Sequence, residues 1–424
     1  MHDVEPAREA TTPHGRDETS PRYAGWRVVL ACFLMAQFLF AFGLYGQSLY
    51  LTELQRLNGW PTALISGAAT LSLVVCNVLA TFTSEFLIWL GGPKRLALAG
   101  LATLAASTVL LASATTPLQL YIAFVLMALG WVGMGTVVMA TLVSLWFVER
   151  RGLALSLAFT GASFGGAVLT PLLVLLVDRV GFATAMLTAT ATMAVVLVPV
   201  ILAWIGSPPD GSGDRPGDLV QPRTVAVAGS TSRGALMRRP AFWSVAIPFS
   251  LALVAQIGFI VHLLAMLEPK IGGAGAGFAS SLMSSMAIAW RLGLGTIVDR
   301  FNPRLVAGAS VASQGLALLI VMQADSMPIV LSACAVFGCS VGNMITLPPL
   351  IISREFSDRD FAVVLGLANA ISGTLGALGP GLLGLAQAWT GDYGLALGLC
   401  IALDFLAAAI VVQRVLIGRP ATAA

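Results

Sequence analysis

AWRLGLGTIVDR, residues 289–300, places Arg291 inside an apolar run that begins at Phe278 and ends at the polar loop FNPR. If the run is a membrane-spanning helix, a guanidinium lies within the bilayer and needs a reason to be there. If it is the core of a soluble protein, the whole chain must be read differently.

Composition decides between the two. Hydrophobic residues make up 57% of the 424 and charged residues 10%, whereas soluble domains carry about 25% charged residues. So few charges cannot cover a water-facing surface. Apolar runs long enough to cross a bilayer as helices recur at about 26–51, 62–90, 96–115, 118–147, 153–177, 183–205, 241–267, 278–298, 305–323, 328–352, 362–389 and 395–417. They lack the apolar/polar alternation of barrel strands and are rich in Gly and Ala, as packed membrane helices are. The five cysteines (Cys32, Cys76, Cys334, Cys339, Cys400) fall inside these runs without metal or redox spacing and read as packing residues. A net charge of +3 points to no nucleic-acid partner.

Positive charge sets an expected orientation. Nineteen of the 23 lysines and arginines lie on the side of the N-terminus, including Arg150 and Arg151, Arg300 and Arg304, and the central loop. Arg56, Arg179 and Lys270 lie on the other side, and Arg291 alone fits no loop. The positive-inside rule then makes both termini and the central loop cytoplasmic, which requires an even number of spans.

The polar segment 206–240 divides two sets of six spans. The expected organisation is a disordered tail at 1–24, a six-helix bundle at 25–205, the central loop at 206–240, a second bundle at 241–417 and a short tail at 418–424. The tail at 1–24 is polar, with Pro6, Pro13 and Pro21, and lacks the apolar core of a signal peptide. The halves align weakly at an offset of 210: Pro93 with Pro303, and Leu155, Leu157 and Ala158 of LALSLA with the matching positions of VVLGLA. Similar helical halves suggest alternating access around a central site. Small residues four apart recur in the fifth span (Gly161, Gly165) and the eleventh (Ser372, Gly376, Pro380, Gly384). Such stripes serve either a sliding contact between halves or static packing.

With this plan, GTIVDRFNPR resembles the loop signature of the major facilitator superfamily, Gly295, Asp299, Arg300 and Arg304 falling on its Gly, Asp, Arg and final basic positions. The first-half copy, SEFLIWLGGPKR, keeps only Pro93, Lys94 and Arg95. WFVERRGLALSLAFTG (146–161), YAGWRVV (23–29) with FGLYGQSLYL (42–51), and Arg291 itself resemble the monocarboxylate porter branch, including oxalate/formate-type relatives. The resemblance implies twelve helices in two six-helix bundles, a monomeric transporter without cofactors, a substrate-anion role for Arg291, and a conformational role for Asp299, Arg300, Arg304, Arg150 and Arg151. Two departures stand out. The aspartate that animal members carry one turn before the arginine is Ala287 here, and the lysines found in the first or eleventh span of relatives are absent. A coupled proton therefore has no inherited carrier, and a dicarboxylate has no second cation.

Arg291 lies eight residues before Asp299, ~12 Å into the membrane. Such a charge costs roughly 2.5–3.5 kcal/mol on insertion scales and stays protonated. It either binds a substrate carboxylate through its two-pronged fork, pairs with an acid, or snorkels to the loop. The carboxylates within spans are Glu85, read as a latch or interfacial group, and Asp404, read as solvated or paired on the last helix. One fixed cation suits a monoanion. Tyr45, Tyr121, Gln256 and Asn343 are candidates to line the substrate site, with hydrogen bonds between helices as the alternative for each. His262 is the histidine within a span, and it either carries a proton or packs.

The expected function is secondary transport of a small organic anion, a monocarboxylate, across the cytoplasmic membrane, driven by substrate or proton gradients as in a symporter. No phosphate-binding loop of the Gly-x-x-x-x-Gly-Lys-Ser/Thr type is present. The alternative is an exporter of drugs or metabolites, although TGASFGGAVLTP (160–171) lacks the Gly-Pro pair common in antiporters. An enzyme is not expected, because no Ser/His/Asp cluster or metal-ligand set appears.

Overall fold

The computed structural model describes residues 18–147, 149–206, 232–297, 300–344 and 346–416. Among them there is no strand. The helices are α1 (Gly25–Asn58), α2 (Thr62–Ala80, continued by Thr83–Trp89), α3 (Pro93–Ala112), α4 (Pro117–Trp146), α5 (Arg151–Val180), α6 (Phe182–Trp204), α7 (240–271), α8 (273–297), α9 (Pro303–Gln323), α10 (Met327–Asn343 and Leu347–Glu355), α11 (Asp358–Gly376 and Gly379–Thr390) and α12 (Gly394–Leu416). Among the described residues ten helical stretches are long and apolar enough to cross a membrane, with 240–291 taken as one, and the bent α10 makes eleven.

Local chemistry sets the ends. Proline opens α3, α4 and α9, where its missing N–H is no loss. Thr116 and Gln119 close a capping box at the start of α4. Between α7 and α8 the expected loop of about ten residues shrinks to a corner at Gly272, whose φ of 75° and ψ of 163° leave the helical region. A side chain is strained at such a φ, so glycine lets the chain reverse there.

Several helices break, and the breaks repeat. α4 interrupts at Gly135 and α10 between Asn343 and Leu347. α5 carries a π-helical turn at Gly165–Leu169, and α11 breaks between Gly376 and Gly379. Each pair lies about 210 residues apart, the offset already visible in the sequence. α1 has its own π-turn at Ala41–Tyr45. Such turns often accompany functional sites.

The small-residue stripes face their own half. Cβ atoms on Gly161 and Gly165 would meet Phe33 O at 2.1 Å and Gln37 O at 2.3 Å, both on α1. Ser372 accepts a hydrogen bond from Ser250 of α7 at 3.2 Å, and Gly376 abuts Leu253 of α7. The neighbouring positions face across the halves. Gly166 meets α8, Gly381 N donates to Thr70 Oγ1 of α2 at 2.8 Å, and Asn77 Nδ2 of α2 donates to Gly373 O at 3.3 Å. Gly384 does both: it belongs to the stripe, yet it faces Ser66 of α2.

Residues 18–24 are folded, unlike the disordered tail expected over 1–24. Glu18 is buried and accepts from Arg150 N at 2.7 Å, and the Tyr23 hydroxyl donates to Trp146 O. The two backbone amides that open α5 supply donors no helix satisfies, which recruits the carboxylate. Residues 1–17 and 207–231, like Asp299, lie outside the described residues.

Candidate functional site

Arg291 is half-buried on α8. Its Nε donates to Gly342 O of α10 at 3.3 Å. Helices α8 and α10 touch closely here: Cβ atoms on Gly338 and Gly342 would stand 2.2 Å from Met283 O and 2.4 Å from Ala287 O. Side chains on a helix lean toward its N-terminus, so the guanidinium reaches back to the level of Ala287. One fork nitrogen is thereby spent on the backbone. Among the described residues, no carboxylate pairs with Arg291 and no protein acceptor meets its Nη groups.

Two turns further into the membrane, and about 20° from Arg291 around the helix at 100° per residue, stands Ser284. It is 1% exposed, and its Oγ has no hydrogen-bond partner. Across the halves, Tyr45 ends the π-turn of α1 and Gly166 lies in the π-turn of α5. A Cβ on Gly166 would meet Ser284 Oγ at 2.3 Å and Tyr45 Cε2 at 2.7 Å. The bare Cα is what lets the three helices converge. Tyr45 also lies within electrostatic range of Arg291. Trp131 of α4 packs beside Gly43 of α1, and its buried Nε1–H meets no acceptor.

Tyr45 thus lies in the region of Arg291, and no hydrogen bond joins the other candidate side chains to Arg291 among the described residues. Gln256 is buried on α7 with Oε1 unpartnered. Tyr121 donates to Leu64 O of α2 at 3.4 Å. Asn343 turns to α9, where its Nδ2 donates to Ser310 Oγ at 2.9 Å. Glu85 is exposed in the first turn of Thr83–Trp89. Asp404 is fully buried and accepts from Gln314 Nε2 at 2.8 Å, so it is not solvated. Arg150, Arg151 and Arg300 are exposed. Arg304 is 3% exposed and grips Glu355 with Nε and Nη2, while Nη1 donates to Val411 O at 3.0 Å. It ties α9, α10 and α12 within one half. Sequence reading did not single out Ser284, Trp131, Glu355 or the glycines that seat α8 on α10.

The halves also meet toward the side away from the termini. Gln55 Nε2 donates to Thr62 Oγ1, and both residues line one vestibule with Tyr393 of the other half. Tyr393 shares a 3.1 Å hydrogen bond with His262 Nδ1, and His262 Nε2 lies 3.0 Å from Pro380 O. A carbonyl only accepts, so Nε2 carries the ring proton and Nδ1 accepts from the phenol. His262 is 0% exposed and fully satisfied. Outside this seam lies a vestibule of about 400 Å³, lined by Glu53, Arg56, Glu268 and Gln387 among others.

Comparison with known proteins gives the same architecture a lineage. The family model described as Major Facilitator Superfamily matches residues 33–380. The MFS transporter asaE of Aspergillus flavus is 26% identical over 224 residues, 50% of this chain and 46% of that one. Human Monocarboxylate transporter 11 is 30% identical over 305 residues, 66% and 60% of the two chains. The chain thus spans about half to three-fifths of the length of these curated relatives. Among solved structures, a bacterial homologue of the human lysosomal transporter Spinster superposes in its inward-facing, occupied conformation with a TM-score of 0.70 at 15% identity, over 95% of this chain and 100% of that one. Its unoccupied inward-facing conformation gives 0.65 at 14% identity, over 94% and 96%. The breaks at matching positions in the two halves, the seam between them and the family match lead to one conclusion: the chain belongs to the major facilitator superfamily.

Proposed function

We propose that the protein is a secondary active transporter of a short monocarboxylate, working by alternating access in the cytoplasmic membrane with Arg291 as the anion site. The observation that carries this reading is the pair of Nη groups of Arg291, a permanent cation inside a span, which meet no protein acceptor among the described residues while Nε is held by Gly342 O. A carboxylate accepts two parallel hydrogen bonds from such a fork, and a monoanion leaves no charge uncompensated. Similarity to Monocarboxylate transporter 11 supports the same class. The arginine-rich side carries both termini and is read as cytoplasmic. Closure on the opposite side then makes this an inward-facing conformation, as in the solved neighbours.

The experiment is counterflow in proteoliposomes with a panel of labelled monocarboxylates, comparing wild type with Arg291→Gln. Exchange of one acid that Arg291→Gln abolishes, with the variant still folded, is the expected result. Normal exchange by the variant would make Arg291 structural. No exchange of any monocarboxylate would turn attention to export of larger or neutral compounds.

A further inference from the structure

Asp404 lies in the middle of α12, 0% exposed. Its Oδ1 accepts from Gln314 Nε2 of α9 at 2.8 Å, and the second amide hydrogen goes to Ala252 O of α7 at 3.2 Å. Both hydrogens of Nε2 are thereby placed, which fixes the orientation of the amide. Two buried oxygens remain without partners, Asp404 Oδ2 and Gln314 Oε1. Both are acceptors if Asp404 is ionised, and nothing then satisfies either. Among the described residues, no cation faces the carboxyl from α7 or α9. Its titratable neighbour is Cys400, one turn earlier on α12, whose Sγ is turned to Ala255 O at 3.9 Å.

One proton resolves both vacancies. A carboxylic acid and a primary amide pair through two antiparallel hydrogen bonds, N–H to the acid carbonyl and acid O–H to the amide carbonyl. We propose that Asp404 is a proton-binding site: Oδ2 holds a proton taken from water and donates it to Gln314 Oε1, closing an acid–amide ring inside the second half. A half-satisfied buried polar pair costs more than an apolar one, and an unpaired buried carboxylate more still; the ring leaves neither. Through Ala252 it also ties α12 and α9 to α7, the helix that carries His262 of the far-side seam. The rival occupant of two bare oxygens is a sodium ion. The amide hydrogens beside Oδ1 disfavour it, because they already supply positive charge there.

The test is infrared spectroscopy of the full-length protein in lipid, with aspartate labelled by ¹³C at the side-chain carboxyl. The expected result is a carboxylic-acid C=O band at neutral pH. It shifts on exchange into D₂O, does not respond to sodium, and is lost in Asp404→Asn. Because Asn places a donor and an acceptor where the neutral acid has them, Asp404→Asn should also melt at the wild-type temperature in detergent, whereas Asp404→Leu, which strands Gln314, should melt lower. If Asp404→Asn fails to fold, Asp404→Glu, which keeps an acid but carries no label, assigns the band by its loss. Absence of the acid band, or its appearance only when sodium is removed, overturns the proposal. So does a fall in the Asp404→Asn melting temperature as large as that of Asp404→Leu.

Discussion

The phenol of Tyr393 donates to Nδ1 of His262 at 3.1 Å, while the opposite ring nitrogen of the same histidine is anchored on Pro380 O. Thr62, from the other half, lines the same vestibule as this phenol. Burial pushes the Tyr393 hydroxyl up from its ordinary range, with Thr62 pulling the other way. The phenol therefore keeps its proton as pH rises through neutrality, and the seam does not loosen from the tyrosine side. Tyr393→Phe removes the link without changing volume much. One hydrogen bond contributes about 0.5–1.5 kcal/mol, so the far side should open ~2–10-fold more often. A cysteine in place of Ser66, which is 0% exposed and faces Gly384 across the halves, should react that much faster with a membrane-impermeant maleimide. An unchanged rate would show that apolar packing alone closes the seam.

Gly342→Ala tests how Arg291 is seated. Its Cβ would stand 2.4 Å from Ala287 O, a backbone atom that cannot turn aside. Overpacking of this kind costs about 1–3 kcal/mol, and the melting temperature in detergent should fall by several degrees. Gly398→Ala meets nothing within 4 Å and should be neutral or stabilising, since alanine favours helix over glycine.

Arg304 predicts a different kind of failure. Its guanidinium is 3% exposed and spans Glu355, Ser244 and Val411. Removing one member of a buried pair strands the other and costs about 3–5 kcal/mol. Arg304→Ala should lose most folded protein, measured by monodispersity after extraction. Arg304→Lys should recover little, because an ammonium cannot bond two carboxylate oxygens and two carbonyls in one plane.

At the proposed anion site, Lys and Gln substitutions should separate charge from geometry. Charge-assisted hydrogen bonds contribute about 1.5–3 kcal/mol. Arg291→Lys should raise the half-saturation concentration in counterflow roughly 10-fold, and Arg291→Gln should exceed ~100-fold. Equal values for the two variants would mean that geometry alone matters at this position.

The helices were legible in the sequence because a bilayer imposes length and apolarity on every span. Arg291 was legible because charge there is conspicuous. What could not be read were contacts between distant positions. Tyr393 meets His262 across 131 residues, and Glu355 meets Arg304 across 51. The stripes in α5 and α11 show the limit well. Spacing of four identifies a smooth face, but the rotation of the helix decides which neighbour it meets. Gly165 faces α1 while Gly166, one residue on, faces α8. Ser284 gave no signal at all, since a serine in a membrane helix usually bonds its own backbone, and only the folded chain reveals that its hydroxyl is unpartnered.

The interruptions at Gly135 and after Asn343, and at Gly165–Leu169 and after Gly376, give the two halves flexure points at equivalent places. Parallel halves repeat about an axis along the membrane normal, so equivalent flexure points share one depth. Bending is thereby confined to a single level, like the pin of a pair of shears, and the helix ends on either side of it act as stiff levers.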